Sequence, residues 1–190
     1  ALPISYLMAA GEDKEIADML VGLVRKQFFY VNLDPYANAF NQEANGNCWE
    51  HDETDMLPWI WERKYELDSL CYPIQLAYLV WKNTGRTDHF DETFVKGVRR
   101  ILEVWRTEQH HEERSPYHFV RKNCYFTDTL SRGGKGALVK SGTGLIWSGF
   151  RPSDDSCVYG YLIPSNMFAV VVLGYLAEIA NQVLGDEALA

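Results

Sequence analysis

Between Glu12 and Val31 the apolar residues Ile16, Met19, Leu20, Leu23, Val24, Phe28 and Val31 recur at steps of three and four, with Lys14, Asp18, Arg25 and Lys26 between them. That is the period of an amphipathic helix. Asp34-Pro35 ends it, because proline disfavours helical backbone in the residue ahead, and residues 36 to 47 read as a polar loop. A second helix is predicted to start near Glu66 or a few residues earlier. It carries Leu67, Leu70, Ile74, Tyr78 and Trp81 on one stripe flanked by Leu76, Leu79 and Val80, a face wide enough to be largely buried. Pro73 falls inside this span, either in the first turn, where proline is tolerated, or further in, where it kinks the axis. Asn83 to Gly85 supplies a glycine stop. Asp88 is the predicted cap of a third helix, whose face of Phe90, Phe94, Val98, Ile101, Leu102 and Trp105 runs to about His110. The short turn between the second and third helices predicts an antiparallel hairpin.

After His111 the helical period is lost for roughly 50 residues. A connection of that length is either functional or disordered, and this one is too aromatic for disorder. YHFVRKNCYFTDTL (117 to 130) reads as one or two short strands and SRGGKGA as a flexible turn. A last helix, capped by Ser165, carries Met167, Phe168, Val171, Val172, Tyr175, Leu176, Ile179 and Val183 as far as Gly185. The expectation is four long helices with long aromatic connections gathered at one end.

Composition narrows the class. With 47% apolar and 14% aromatic residues in 190, the chain builds a substantial core, and a net charge of -8 without a Lys/Arg cluster disfavours nucleic acid as partner. No segment approaches 18 uninterrupted apolar residues, and the opening stretch ALPISYLMAA has neither the basic region nor the apolar core of a signal peptide. A soluble chain that does not engage a membrane is expected. Cys48, Cys71, Cys124 and Cys157 stand singly, the pattern of reduced thiols in a cytoplasmic protein; two disulfides in an exported one are the less economical reading. The five histidines fall in no metal-binding register, so no metal and no cofactor is expected.

The candidate chemistry lies between Asn47 and Pro73. Seven carboxylates (Glu50, Asp52, Glu53, Asp55, Glu62, Glu66, Asp68) fall within 19 positions among Trp49, Trp59 and Trp61. Indole faces beside charged acceptors suit a sugar, whose C–H faces stack and whose hydroxyls donate. The plain alternative is a solvated acidic face over core tryptophans. The same theme returns in Trp147, Phe150, Tyr159 and Tyr161, which alternate with Arg151, Asp154, Asp155 and Asn166. Gly142 to Gly144 is no phosphate loop, since no G-K-[ST] follows.

Three ordered blocks now carry a resemblance: DPYANAFN (34 to 41), WERKYELDSLCYP (61 to 73) and WSGFRPSDDSCVYGYLIPSNMFAVVVL (147 to 173). Together they resemble the metal-independent exo-α-1,6-mannosidases of glycoside hydrolase family 125, and the resemblance covers nearly the whole chain. It implies a mainly α fold, part of an (α/α)6 barrel of twelve helices. It also implies inversion of configuration and release of terminal α-1,6-linked mannose from mannose-containing oligosaccharides. The family's acid falls on Asp68. The resemblance and the residue pattern together make Trp61, Arg63, Glu66, Trp147, Arg151, Asp154, Asp155, Tyr161 and Asn166 the candidate sugar-binding residues, with Arg151, Asp154, Asp155 and Asn166 expected to converge on Asp68. The family's base is a glutamate in a His-Glu-Ser stretch, and neither that stretch nor the Trp-Leu-Arg-Asp-Ser stretch occurs here. Residues 1–190 are therefore expected to form the central portion of one barrel domain. Its end helices would carry uncovered apolar stripes through which the segment associates. The competing classes are a sugar-binding or structural fragment without turnover and, more remotely, a helical-toroid lyase or an interaction scaffold.

Overall fold

The computed structural model describes residues 4 to 186 together with 188 and 189. Its elements are α1 (Ile4–Ala9), α2 (Lys14–Leu33), β1 (Ala39–Phe40), β2 (Ile60–Glu62), α3 (Leu67–Thr84), α4 (Glu92–Glu108), α5 (His111–Arg114), α6 (Ser131–Gly134) and α7 (Ile163–Ile179). A π-helical turn, Ala180–Leu184, extends α7. The protein is mainly α, with four long helices at the positions the periodicity predicts. α6 is a single turn in which Arg132 and Gly133 adopt left-handed φ of 56° and 65°.

Local chemistry accounts for the boundaries. Asp13 caps α2 by accepting from the amides of Glu15 and Ile16 at 2.9 and 3.2 Å. Asp34 ends the helix in extended backbone before Pro35. Gly85, at φ 70°, closes α3 in the left-handed conformation a helix C-terminus favours. Pro73 lies well inside α3, where it deprives the helix of one amide donor.

Two expected caps move. Asp91, not Asp88, caps α4, accepting from the Phe94 amide at 3.0 Å, while Asp88 is engaged by Arg25 and Arg86. Ser165 does not cap α7 either: the helix opens at Ile163 with Pro164 in its first turn, which leaves Ser165 inside and buried. The expected strands near 117 to 130 reduce to one bridge, Glu53 to Val120. The small antiparallel sheet forms elsewhere, pairing Ala39 with Glu62 and Phe40 with Ile60.

The core is a layer of helices in which α3 packs on α2 and α7, and α2 also packs on α4. The expected α3–α4 hairpin is thus loose, because α4 turns its apolar face to α2. Phe28 and Phe94 meet at 4.6 Å between ring centroids, and Gly97 lets the two helices approach. Tyr78 of α3 stacks on Tyr175 of α7 at 4.0 Å and donates to Glu178 at 2.6 Å.

The segment from Ile163 to Leu184 is long and apolar enough to cross a membrane by length and composition, with a mean hydropathy of 1.7. Ala169, Val172, Leu176 and Ile179 pack inward, so it is a core helix on that side. Its other side is bare: Met167 and Val170 are 65% and 70% exposed, and Ile163, Val171 and Leu173 are exposed beside them.

The close α2–α4 contact yields a stability prediction. In an exposed helix interior, glycine to alanine stabilises by about 1 kcal/mol. At Gly97 the added Cβ would sit 2.6 Å from Cδ1 of the buried Phe28 ring. Overpacking of this kind typically costs about 1–3 kcal/mol. Gly97→Ala is therefore expected to lower the urea midpoint, and a raised midpoint would refute this view of the contact.

Candidate active site

The site is built on the join between β2 and α3, where the chain is extended from Arg63 to Glu66 and then turns into helix. Several of its backbone groups find partners from far along the chain. The Tyr117 hydroxyl donates to the Arg63 carbonyl at 2.8 Å and accepts from the Tyr65 amide at 2.9 Å. The Phe150 amide donates to the Tyr65 carbonyl at 2.9 Å. Glu66 precedes α3 without capping it, and the Ser148 hydroxyl does so instead, accepting from the Leu67 amide at 3.1 Å and donating to the Phe150 carbonyl at 2.8 Å.

Behind this join lies an aromatic wall. Trp147 is wholly buried, stacked on His111 at 3.6 Å and on Tyr65 at 6.1 Å. His111 Nδ1 lies 2.6 Å from the buried Glu108 carboxylate, which also accepts from Tyr36 and Ser115. The long aperiodic connection is thus a packed brace for the start of α3.

Two acids stand at the turn so fixed. Asp68 occupies the second position of α3 and is 5% exposed; among the described residues, the Ser165 hydroxyl is its side-chain partner, at 3.3 Å. Burial raises its pKa, opposed by its own backbone amide and by Ser165. Glu66, more open, accepts from Ser69 Oγ at 2.7 Å. Its pKa is pushed up to about 7, chiefly by burial, with the negative charges of Asp68, Asp154 and Glu62 adding to the shift. Both carboxyls therefore hold a proton more readily than an ordinary acid. Ser69, Leu70, Tyr72 and Pro73 line one side of a cavity of about 320 Å³ next to this turn.

The other candidate residues divide. Asp154 joins the site: Lys64 holds it, and its charge reaches Glu66. Trp61 points outward from β2, 37% exposed, with the more exposed Trp49 at 6.3 Å between centroids. Arg63 is buried against Asp34 at 2.7 Å and lines a separate cleft of about 820 Å³. Arg151 and Asp155 pair with each other at the surface. The Tyr161 hydroxyl donates to the Lys140 carbonyl at 2.9 Å and so anchors a loop. Asn166 directs its amide at Ile146, accepting from its N–H at 2.8 Å and donating to its carbonyl at 3.0 Å. Trp147 and Asn166 thus shape the wall from within the packing.

Sequence reasoning overlooked Lys64, Ser148 and Tyr117. Only Lys64 left a signal, an alternation of Glu62, Lys64 and Glu66 that places three charged side chains on one side of an extended segment. Among the described residues, no group of three or more His, Cys, Asp or Glu is arranged to hold a metal ion.

Carboxyls with raised pKa values stand here beside aromatic rings on a helical scaffold, features compatible with carbohydrate chemistry. The comparisons with known proteins agree. The sequence profile of the metal-independent alpha-mannosidases, GH125, matches residues 3–190, and the chain belongs to that family. A metal-independent alpha-mannosidase of Streptococcus pneumoniae, solved as a non-productive complex with alpha-1,6-mannobiose, superposes with a TM-score of 0.92 at 51% identity. The match covers 97% of this chain and 43% of that one. The meiotically up-regulated gene 157 protein of Schizosaccharomyces pombe is 31% identical over 93% of this chain and 38% of its own length. The chain thus spans about two-fifths of the proteins it matches. The mainly α fold is that of the GH125 α/α-barrel enzymes.

The raised carboxyl of Glu66 gives a pH prediction. Its folded pKa lies above the unfolded value, so its contribution to stability is fully present below about 4.5 and is lost as pH rises through about 7. The carboxylates of Asp88 and Glu112, held down to about 2 by arginine partners, lose their contribution only in more acid solution. Glu66→Gln should therefore flatten the decline in urea stability between pH 5 and pH 8 relative to wild type. Parallel profiles for the two proteins would contradict the assignment.

Proposed function

We propose that this chain supplies the general acid and part of the sugar-binding wall of an exo-acting, inverting α-1,6-mannosidase that releases terminal mannose from α-mannans or N-glycan fragments. The observation that carries the reading is Asp68: a carboxyl in the first turn of a braced helix, its pKa raised by burial, with a neutral hydroxyl as side-chain partner. A carboxyl with its pKa raised in this way is suited to donate a proton to a glycosidic oxygen. Family membership supports the reaction class. The mannobiose bound to the Streptococcus pneumoniae protein supports the linkage.

Inversion needs a second carboxylate about 6.5–9.5 Å from the acid, with a water between it and the sugar. In this reading the base lies outside residues 1–190, which form the central portion of a barrel domain. Trp61, Glu66 and Asp154 meet the sugar, the first by stacking and the carboxyls by accepting hydroxyls. The bare face of α7 is where the rest of the barrel, or another molecule, covers the helix.

The structure favours one rival for the acid. Glu66 is the more accessible carboxyl, and its pKa of about 7 lies near the optimum for proton transfer at neutral pH.

Kinetics in the full-length chain separate the two. Asp68→Asn is expected to lower turnover of Man-α-1,6-Man by about 10² to 10⁴, the contribution of a general acid, and to affect a dinitrophenyl mannoside far less, since that leaving group departs unprotonated. Glu66→Gln should act on both substrates alike. The reverse pattern would transfer the role to Glu66. Equal loss on both substrates in Asp68→Asn, with a lowered melting temperature, would leave Asp68 a structural residue.

A further inference from the structure

Lys64 has no exposed surface, yet its ammonium is surrounded by acids. Nζ donates to Asp128 Oδ1 at 2.5 Å and to the Asp154 carbonyl at 2.7 Å, lies 3.1 Å from Asp154 Oδ2 and 3.8 Å from Glu62 Oε1, and sits over the Phe150 ring at 5.1 Å. Arg121 closes the network, reaching Asp52 at 2.7 Å, Glu62 at 2.7 Å and Asp128 at 3.2 Å. Two cations therefore face four carboxylates: Asp52, Glu62, Asp128 and Asp154. The Asp52 and Glu62 side chains are buried and that of Asp128 is half-buried, while the Asp154 side chain is the most open at 55% exposed. The network's surplus acceptor capacity faces outward at Asp154.

Asp154 is also held in an unfavourable backbone conformation. Its φ is 69°, a left-handed angle that glycine adopts freely and an L-residue seldom does, and its amide is bonded back to the Arg151 carbonyl at 2.8 Å. A turn alone would be better served by glycine, so the carboxylate is the reason for a side chain there. The ammonium of Lys64, bonded to both its carbonyl and its carboxylate, holds the residue in this conformation.

We propose that Lys64 is a positioning residue for the mannosidase reaction, clamping Asp154 by its carbonyl and carboxylate together so that the remaining acceptor capacity of that carboxylate is presented to a hydroxyl of the mannosyl unit. The inference rests on the mannosidase reading. It adds that the sugar is oriented from the join between β2 and α3, the segment that carries the acid. Lys64 touches no substrate. It acts through Asp154, whose carboxylate it holds at 3.1 Å from a position two residues ahead of Glu66, the residue that precedes α3.

The test is a double-mutant cycle in the full-length chain, read as kcat/KM on α-1,6-mannobiose, with melting temperatures measured alongside. Lys64→Met and Asp154→Asn should each lower kcat/KM by about 10²-fold, the scale of a misplaced substrate contact. Lys64→Met in the Asp154→Asn background should add less than about twofold, because groups acting as a unit are not additive. Multiplicative losses, or a Lys64→Met enzyme with wild-type kcat/KM and only a lowered melting temperature, would overturn the proposal. Lys64→Met combined with Asp128→Asn restores charge balance should the single variant not fold. The same loss of about 10²-fold supports the clamp, and a wild-type value refutes it. A wild-type enzyme that leaves the mannobiose untouched would bring down the mannosidase reading and the inference with it. An active wild type with unaffected Lys64 variants would bring down the inference alone.

Discussion

The backbone between Arg63 and Leu67 is held by hydrogen bonds from residues distant in the chain, most of them more than fifty positions away, and the rest of the structure depends on those bonds. An extended segment entering a buried helix exposes amides and carbonyls that neither a ladder nor a helical turn can satisfy. Tyr117, Ser148 and Phe150 satisfy them, and Asn38 accepts from the Lys64 amide at 3.0 Å. Each bond is worth about 1 kcal/mol net, but leaving such a group buried and unpaired costs about 1–3 kcal/mol. The long loop after α4 is therefore ordered by what it completes. The same bonds orient the first turn of α3, and with it Glu66 and Asp68.

A second constraint is ionic. Burying Lys64 and Arg121 is unfavourable unless every donor is matched, and an apolar replacement of similar volume would be no less stable in general. What the ion network provides is registry. Lys64 joins β2 to residues 128 and 154, and Arg121 joins it to residues 52 and 128. Three loops without regular structure of their own are thereby fixed against one strand, and they are the loops that carry the site's polar groups. Arg63, against Asp34 and beside the stacked rings of Tyr36 and Tyr117, makes a similar join just beyond the strand.

How much of this was legible in the chain depends on the range of the interaction. The four long helices follow from a period that each helix displays within itself, and Asp34-Pro35 and Gly85 mark ends through purely local backbone preferences. Asp88 and Asp91 are both acceptable caps by sequence; Arg25 pairs with both, while Arg86 takes up Asp88 and Asp91 accepts from the Phe94 amide. Ser165 was a misreading that local chemistry could have prevented, since Pro164 belongs in a first helical turn and places the start ahead of it. The packing of α4 on α2 turns on Gly97 opposite Phe28, a pairing with no periodic trace. In the site, Asp68 was visible through the family's block and Asp154 through its aromatic surroundings. The alternation of Glu62, Lys64 and Glu66 marks Lys64 as one of a charged set, but its partners stand 64 and 90 positions away, where no spacing rule reaches. Trp147 and Asn166 match the sugar-binding type of residue, but residue type cannot distinguish a wall's surface from the packing behind it.

The position of Asp68 sets two general effects against each other. At the second residue of α3 it lies where the helix dipole and free amides favour a carboxylate, an effect of about 0.3–1 kcal/mol at exposed sites. On that ground alone the residue would be a poor acid. Burial works in the opposite direction, and at 5% exposure it is the larger cause, so the carboxyl is raised although its own amide and Ser165 both stabilise the anion. The donors that oppose burial do so at the level of single hydrogen bonds, and they also fix where the carboxyl points. Neither effect alone would serve. Burial without the donors would leave the side chain free to turn, and the donors without burial would leave its pKa lowered rather than raised. Ser165, which the sequence offers as a helix cap, is instead a residue inside α7 whose hydroxyl holds the Asp68 carboxyl of α3.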